Sequence, residues 1–145
     1  MATQPLQVGI LGTGDRVFLV SFTVTASAAA SAIFTGTIYP YGIDDGTTFT
    51  AFQIPTGVIY HLVDITVSSS PTTEGQLTFY VNGNKQGENF FLADLVSTNS
   101  ARVKPQLPIT LAAGATFTVK LTLLVAGPTN QYLQYLKVYF VATPA

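Results

Sequence analysis

The chain of 145 residues has no cysteine and no tryptophan, one histidine and one methionine. Without a thiol there is no disulfide framework, thiolate metal ligand or sulfur nucleophile, and the redox compartment is left unconstrained. A single imidazole means that any Ser-His-Asp chemistry would have to run through His61. Charge is scarce as well: six basic and seven acidic side chains make up 9% of the residues, against about 25% in an ordinary soluble domain. A net charge of −1 supplies no basic field for a phosphate backbone, so nucleic acid is not an expected partner. Lys85, Arg102 and Lys104 are the nearest approach to a basic cluster, and they read as ordinary solvation. The apolar run over residues 17–24 is too short, and too rich in Ser and Thr, to span a bilayer. Met1-Ala2-Thr3-Gln4-Pro5 lacks the basic and apolar regions of a Sec signal.

Hydrophobic side chains, in contrast, are abundant at 48% of the chain, with a mean hydropathy of +0.41. The solvated surface must therefore be built from Thr, Ser, Asn, Gln and backbone. A surface so poor in charge resists self-association weakly, which points to faces covered by other subunits; a lone extracellular domain would share the composition. The length suits one domain with a core that needs neither disulfides nor metals.

Apolar residues recur with period two between Gly, Pro and Asn, the pattern of half-buried strands, and no segment holds a helical period. About eight strands are expected, over residues 16–25, 33–39, 47–54, 58–68, 76–81, 108–111, 115–125 and 132–142. The first and last carry apolar residues on both faces and are expected to be largely covered on both, or to lie at a subunit contact. In the fourth, Ile59, His61, Val63, Ile65 and Val67 are expected to share one face. Residues 26–32 read as a loop or a single turn, and Pro40 ends the second strand. Tyr41-Gly42-Ile43-Asp44-Asp45-Gly46, Pro55-Thr56-Gly57, Ala112-Ala113-Gly114 and Gly127-Pro128-Thr129-Asn130 have turn chemistry, and Asn82-Gly83 is a hairpin dipeptide. Residues 85–104 are expected to form an irregular excursion with one helical turn. With no helices to cover a parallel sheet, the architecture is an all-β antiparallel sandwich: an N-terminal arm over 1–15 and a single β-sandwich domain over 16–145.

Three stretches carry a resemblance: Gln53-Ile54-Pro55-Thr56-Gly57-Val58-Ile59-Tyr60, Gly75-Gln76-Leu77-Thr78-Phe79-Tyr80-Val81-Asn82-Gly83, and Pro108-Ile109-Thr110-Leu111-Ala112-Ala113-Gly114-Ala115-Thr116-Phe117-Thr118-Val119. A Pro-X-Gly corner introducing a core strand, and a later Leu-Ala-Ala-Gly corner joining strands of opposite sheets, resemble the single jelly-roll coat and minor virion proteins of icosahedral viruses. The likeness covers about half the chain and lies in turn spacing, which carbohydrate-binding modules and fibre tips share. It implies jelly-roll topology and a subunit that tiles a shell or projects from one, with itself and other virion proteins as partners.

The remaining chemistry has plain readings. His61 is expected to be a satisfied core or interface histidine, with Asp64 on the opposite face. Asp44 and Asp45 suit a turn better than the six to eight oxygens of a Ca²⁺ site. Glu88 and Asp94 are too far apart in sequence to be assigned as a glycosidase pair. Gly12-Thr13-Gly14-Asp15 lacks the further Gly, the Lys and the helix of a phosphate loop. Tyr39, Tyr41, Tyr60, Tyr80, Tyr132, Tyr135 and Tyr139 suit protein interfaces better than a sugar platform, which would ordinarily include Trp. No cofactor, metal or catalytic residue is expected, and the chain does not read as an enzyme. The leading expectation is a virion structural protein. A carbohydrate- or receptor-binding sandwich using the 39–45 loop, or an extracellular filament subunit donating residues 2–14 as a strand, are the alternatives.

Overall fold

The computed structural model describes residues 14–25, 27–67, 75–91, 105, 109–127 and 132–145. The period-two pattern becomes ten strands: β1 (Gly14–Val24), β2 (Ile33–Thr35), β3 (Thr37–Tyr39), β4 (Phe52–Gln53), β5 (Val58–Val67), β6 (Gly75–Val81), β7 (Asn84–Phe91), β8 (Ile109–Leu111), β9 (Thr116–Leu123) and β10 (Tyr132–Pro144). They form two antiparallel sheets packed face to face. The first has the order β3-β1-β10-β5-β8; the second has β2-β9-β6-β7, with β4 also on β9. Successive strands therefore change sheet at nearly every connection, and among the described strands β6 to β7 is the one hairpin kept within a sheet. Its turn is Asn82-Gly83, where φ of 52° and 81° gives the twist that a two-residue hairpin needs. The Asn82 carboxamide also accepts from the Thr116 amide at 2.9 Å, tying the turn to the start of β9.

The inner faces supply a nearly all-apolar core. Phe18, Val20, Phe22 and Val24 from β1, Leu136, Val138, Phe140 and Ala142 from β10, and Phe117, Val119, Leu121 and Leu123 from β9 are all buried. Each such aliphatic or aromatic side chain removed from water contributes about 1.5–3 kcal/mol. Rings run through the middle in contact: Phe18 lies 5.2 Å from Phe52 and 5.0 Å from Phe140, and Phe79 stacks on Phe117 at 5.8 Å.

Four expectations change. The strand expected over 33–39 is two strands in different sheets, split at Gly36, whose amide bonds to the Val119 carbonyl at 2.8 Å. The strand expected over 47–54 shrinks to Phe52–Gln53 and an isolated bridge between Phe49 and Ile38. The irregular excursion from residue 85 is a regular strand, β7, as far as Phe91; the rest of it falls outside the described residues. Between the pairs Phe79 to Gln86 and Leu77 to Phe90, β7 carries four steps against two on β6, and that mismatch erases its period-two signature. Finally, the outer face of β1 and β10 is only partly covered within the chain: Ser21 is buried, Leu19, Tyr135, Tyr139 and Val141 are half-buried, Val17 is 47% exposed and Lys137 is exposed. The described residues thus hold ten strands: the eight expected, with 33–39 divided in two and β7 added. Of the expected arm over 1–15, only Gly14 and Asp15 are described, and they open β1.

Candidate functional site

The outer face of the first sheet is set by an irregularity in β5. Along β10 the consecutive residues Tyr139 and Phe140 pair with Asp64 and Leu62, which leaves Val63 as an extra residue. Such a bulge shifts the parity of the strand. Before it the inward residues are Val58, Tyr60 and Leu62; after it the inward residue is Ile65. This corrects the expected shared face of Ile59, His61, Val63 and Ile65: Ile59 and His61 point outward, and Ile65 points into the core. Directly opposed residues share a face, so the pairs His61 with Val141 and Asp64 with Tyr139 put both His61 and Asp64 outside. Asp64 is therefore on the same face as His61, contrary to the expectation. The conflict was visible in the sequence. An unbroken alternation places either His61 or Asp64 in the core, and one extra residue removes both problems.

The strand register arranges this face in rows across the sheet. Asp15, Val141, His61 and Thr110 form one row. Val17, Tyr139 and Asp64 form the next, and Tyr39, Leu19, Lys137 and Thr66 the third. Neighbouring strands lie about 4.8 Å apart, so the row of three spans about 10 Å and the rows of four about 14 Å. Beside the bulge the face is hollow: a cavity of about 320 Å³ is lined by Asp15, Arg16, Val17, Val63, Tyr139, Phe140 and Val141. Arg16, opposite the buried Phe140, lies on the inner side of the sheet, where its Nη1 donates to the Asp15 carbonyl at 2.7 Å and its side chain hydrogen-bonds Tyr60. His61 sits in the adjoining row with its Nε2 2.8 Å from Thr143 Oγ1. It is a satisfied, half-buried residue of the outer face and not of the core.

The other residues singled out in the sequence do not converge here. Asp45 accepts from the Thr47 amide at 3.2 Å, an Asx turn, as the turn reading expected. Among the described residues no three acidic or imidazole side chains gather as metal ligands. Asp94 and the Glu88 side chain fall outside the described residues, as do Arg102, Lys104, Gly12 and Thr13. Gly14 and Asp15 are the first residues of a strand, a setting that offers no phosphate cradle.

The tyrosines are dispersed. Tyr60 is in the core against Phe18 and Phe140. Tyr41 meets Phe49 edge to face, and Tyr80 lies under the Lys120 ammonium at 4.9 Å on the second sheet. Tyr39, Tyr135 and Tyr139 share the outer face of the first sheet, and the Tyr132 side chain is outside the described residues. Burial pushes the Tyr60 phenol above its usual 10.0; the charge and hydrogen bond of Arg16 offset part of the rise, and Tyr41 adds to it. Sequence reasoning missed Val63 as a neighbour of Asp15 and Val17, because only the register through β10 brings them together.

Among the described residues no helix is long and apolar enough to cross a membrane. No protein-family model matches the chain, and no curated protein is significantly similar to it in sequence.

Proposed function

We propose that the chain is a non-catalytic structural subunit of a viral coat, a jelly-roll domain that assembles with copies of itself and docks to other virion proteins. The observation that carries this reading is the strand order. With β1, β10, β5 and β8 side by side in one sheet and β2, β9, β6 and β7 in the other, the order supports a reading as two Greek keys of a double-sheet jelly roll, an architecture used by viral capsid proteins and by lectin domains.

Surface chemistry supports it. Few charges oppose close approach of copies, and the second sheet presents Ile33, 62% exposed, in one row with Thr122, Gln76 and the exposed Phe91. Leu124 and Val125, also exposed, follow at the end of β9. Apolar groups of this size left in water are stabilised by burial against another subunit.

Light scattering on the purified chain over a concentration series tests the reading. Mass that rises to a discrete oligomer or a growing assembly is the expected result. A strict monomer at every concentration overturns it.

A further inference from the structure

We infer that β2 is a contact edge: two copies of the chain pair β2 against β2, antiparallel about a two-fold axis at Phe34, so that the second sheet runs on from one copy into the next. The inference rests on the assembly reading and names one contact within it.

An edge strand open to pairing is ordinarily guarded by charge, proline, a bulge or a covering segment. In the second sheet β7 is guarded, because it carries Lys85 and Glu88 and its two extra residues against β6 break the row of bonds it could offer. In the first sheet Ile38 of β3 exchanges backbone bonds of 2.8 and 3.0 Å with Phe49, and β8 comes directly after Pro108. β4 has only two residues. β2 differs from all of these: Ile33-Phe34-Thr35 holds neither charge nor proline, pairs regularly with β9, and has no other strand beside it among the described residues.

The register shows which backbone groups are free. Ala32 accepts from the Leu123 amide at 2.9 Å, and Gly36 donates to the Val119 carbonyl at 2.8 Å, so the even-numbered residues bond to β9. In an antiparallel pair these alternate with residues whose N–H and C=O point away, here Ile33 and Thr35. A copy laid antiparallel about Phe34 sets Ile33 opposite the partner's Thr35, and Thr35 opposite the partner's Ile33. Each opposed pair then exchanges two hydrogen bonds.

The side chains suit the same contact. At 62% exposed, Ile33 is the most open large hydrophobic residue among those described, and Thr35 beside it is exposed as well. Leu124 stands diagonally from Ile33 across the β2–β9 pair, and Val125 follows it; both are exposed. A two-fold contact sets a surface against itself, so a charge near the axis meets its own like. No Asp, Glu, Lys, Arg or His occurs over residues 17–43 or 121–136, the two stretches that meet here. The outer face of the first sheet, with Asp15, Asp64 and Lys137, lacks that property.

Because the chain has no cysteine, introduced thiols report the contact directly. In the pair, the Cα atoms of Ile33 and the partner's Thr35 stand about 5.5 Å apart, inside the span of roughly 4.4–6.8 Å that a disulfide bridges. Ile33 and the partner's Ile33, two residues out of register, stand about 8–9 Å apart and cannot be bridged. An equimolar mixture of Ile33→Cys and Thr35→Cys chains under mild oxidant should therefore form its mixed disulfide several-fold faster than either variant dimerises alone at the same total concentration. Both positions are exposed, so far-UV circular dichroism should match the unaltered chain. Sedimentation equilibrium of the unaltered chain runs alongside. Association without preference for the mixed disulfide overturns this contact and leaves the assembly reading standing. A strict monomer that gives no mixed disulfide overturns both.

Discussion

Phe117 and Phe140 meet edge to face at 87°, with 5.5 Å between ring centroids, and they come from opposite sheets. Both rings are buried, and each also touches a further ring of its own sheet: Phe79 for Phe117, Phe18 for Phe140. The contact joins the two halves of the sandwich at its centre. Truncating Phe140 to Ala should cost about 3–5 kcal/mol, since a cavity opens between layers that cannot both collapse into it. Urea unfolding checks this, and Phe140→Leu, which keeps most of the volume, should cost clearly less.

At Gly36 the chain leaves the second sheet for the first and passes against the inner face of β1. A methyl group there would lie 2.5 Å from Val20 Cγ1 and 2.9 Å from Phe22 Cε1, both on buried side chains. Gly36→Ala should therefore destabilise by about 1–3 kcal/mol through overpacking. Combined with Val20→Ala, which clears the nearest atom, it should cost less than the sum of the two single changes. A double-mutant cycle on denaturant midpoints measures the coupling; strict additivity would show that the close approach is relieved elsewhere.

Deletion of Val63 should be tolerated far better than deletion of a residue from a regular strand. With Val63 gone, Leu62 and Asp64 follow each other as inward and outward residues and Ile65 stays in the core, so alternation is restored. Deleting Thr118 from β9, which pairs with β6 without irregularity, would instead turn one half of that strand's core residues outward. Thermal unfolding by circular dichroism should show a cooperative transition for the first deletion and none for the second.

The raised Tyr60 pKa fixes the sign of one pH effect. A phenol that holds its proton more tightly when folded gives the native state more bound protons than the unfolded one above pH 10.0. Stability is then fully present below that pH and falls as pH rises toward the folded value. Tyr60→Phe removes the ionisation, so its alkaline decline should be shallower than that of the unaltered chain. Urea midpoints measured from pH 8 to pH 11 compare the two; parallel curves would show that Tyr60 does not contribute.

What the sequence determined by itself is local. The inward face of β9, through Phe117, Val119, Leu121 and Leu123, follows from alternation alone, because successive side chains in a strand point to opposite sides. The Asn82-Gly83 turn follows from residues that accept positive φ, and the Asx turn at Asp45 from a side chain that reaches its own backbone. Tertiary structure decided everything that depends on a partner strand. Nothing within residues 33–39 says that Gly36 separates two sheets; that depends on Val20 and Phe22, which leave no room for a side chain. Nothing within 84–91 reveals a strand, because its extra residues are defined only against β6. The hollow at Val63 likewise exists only where β10 skips that residue, since register is a relation between chains of hydrogen bonds and not a property of one segment.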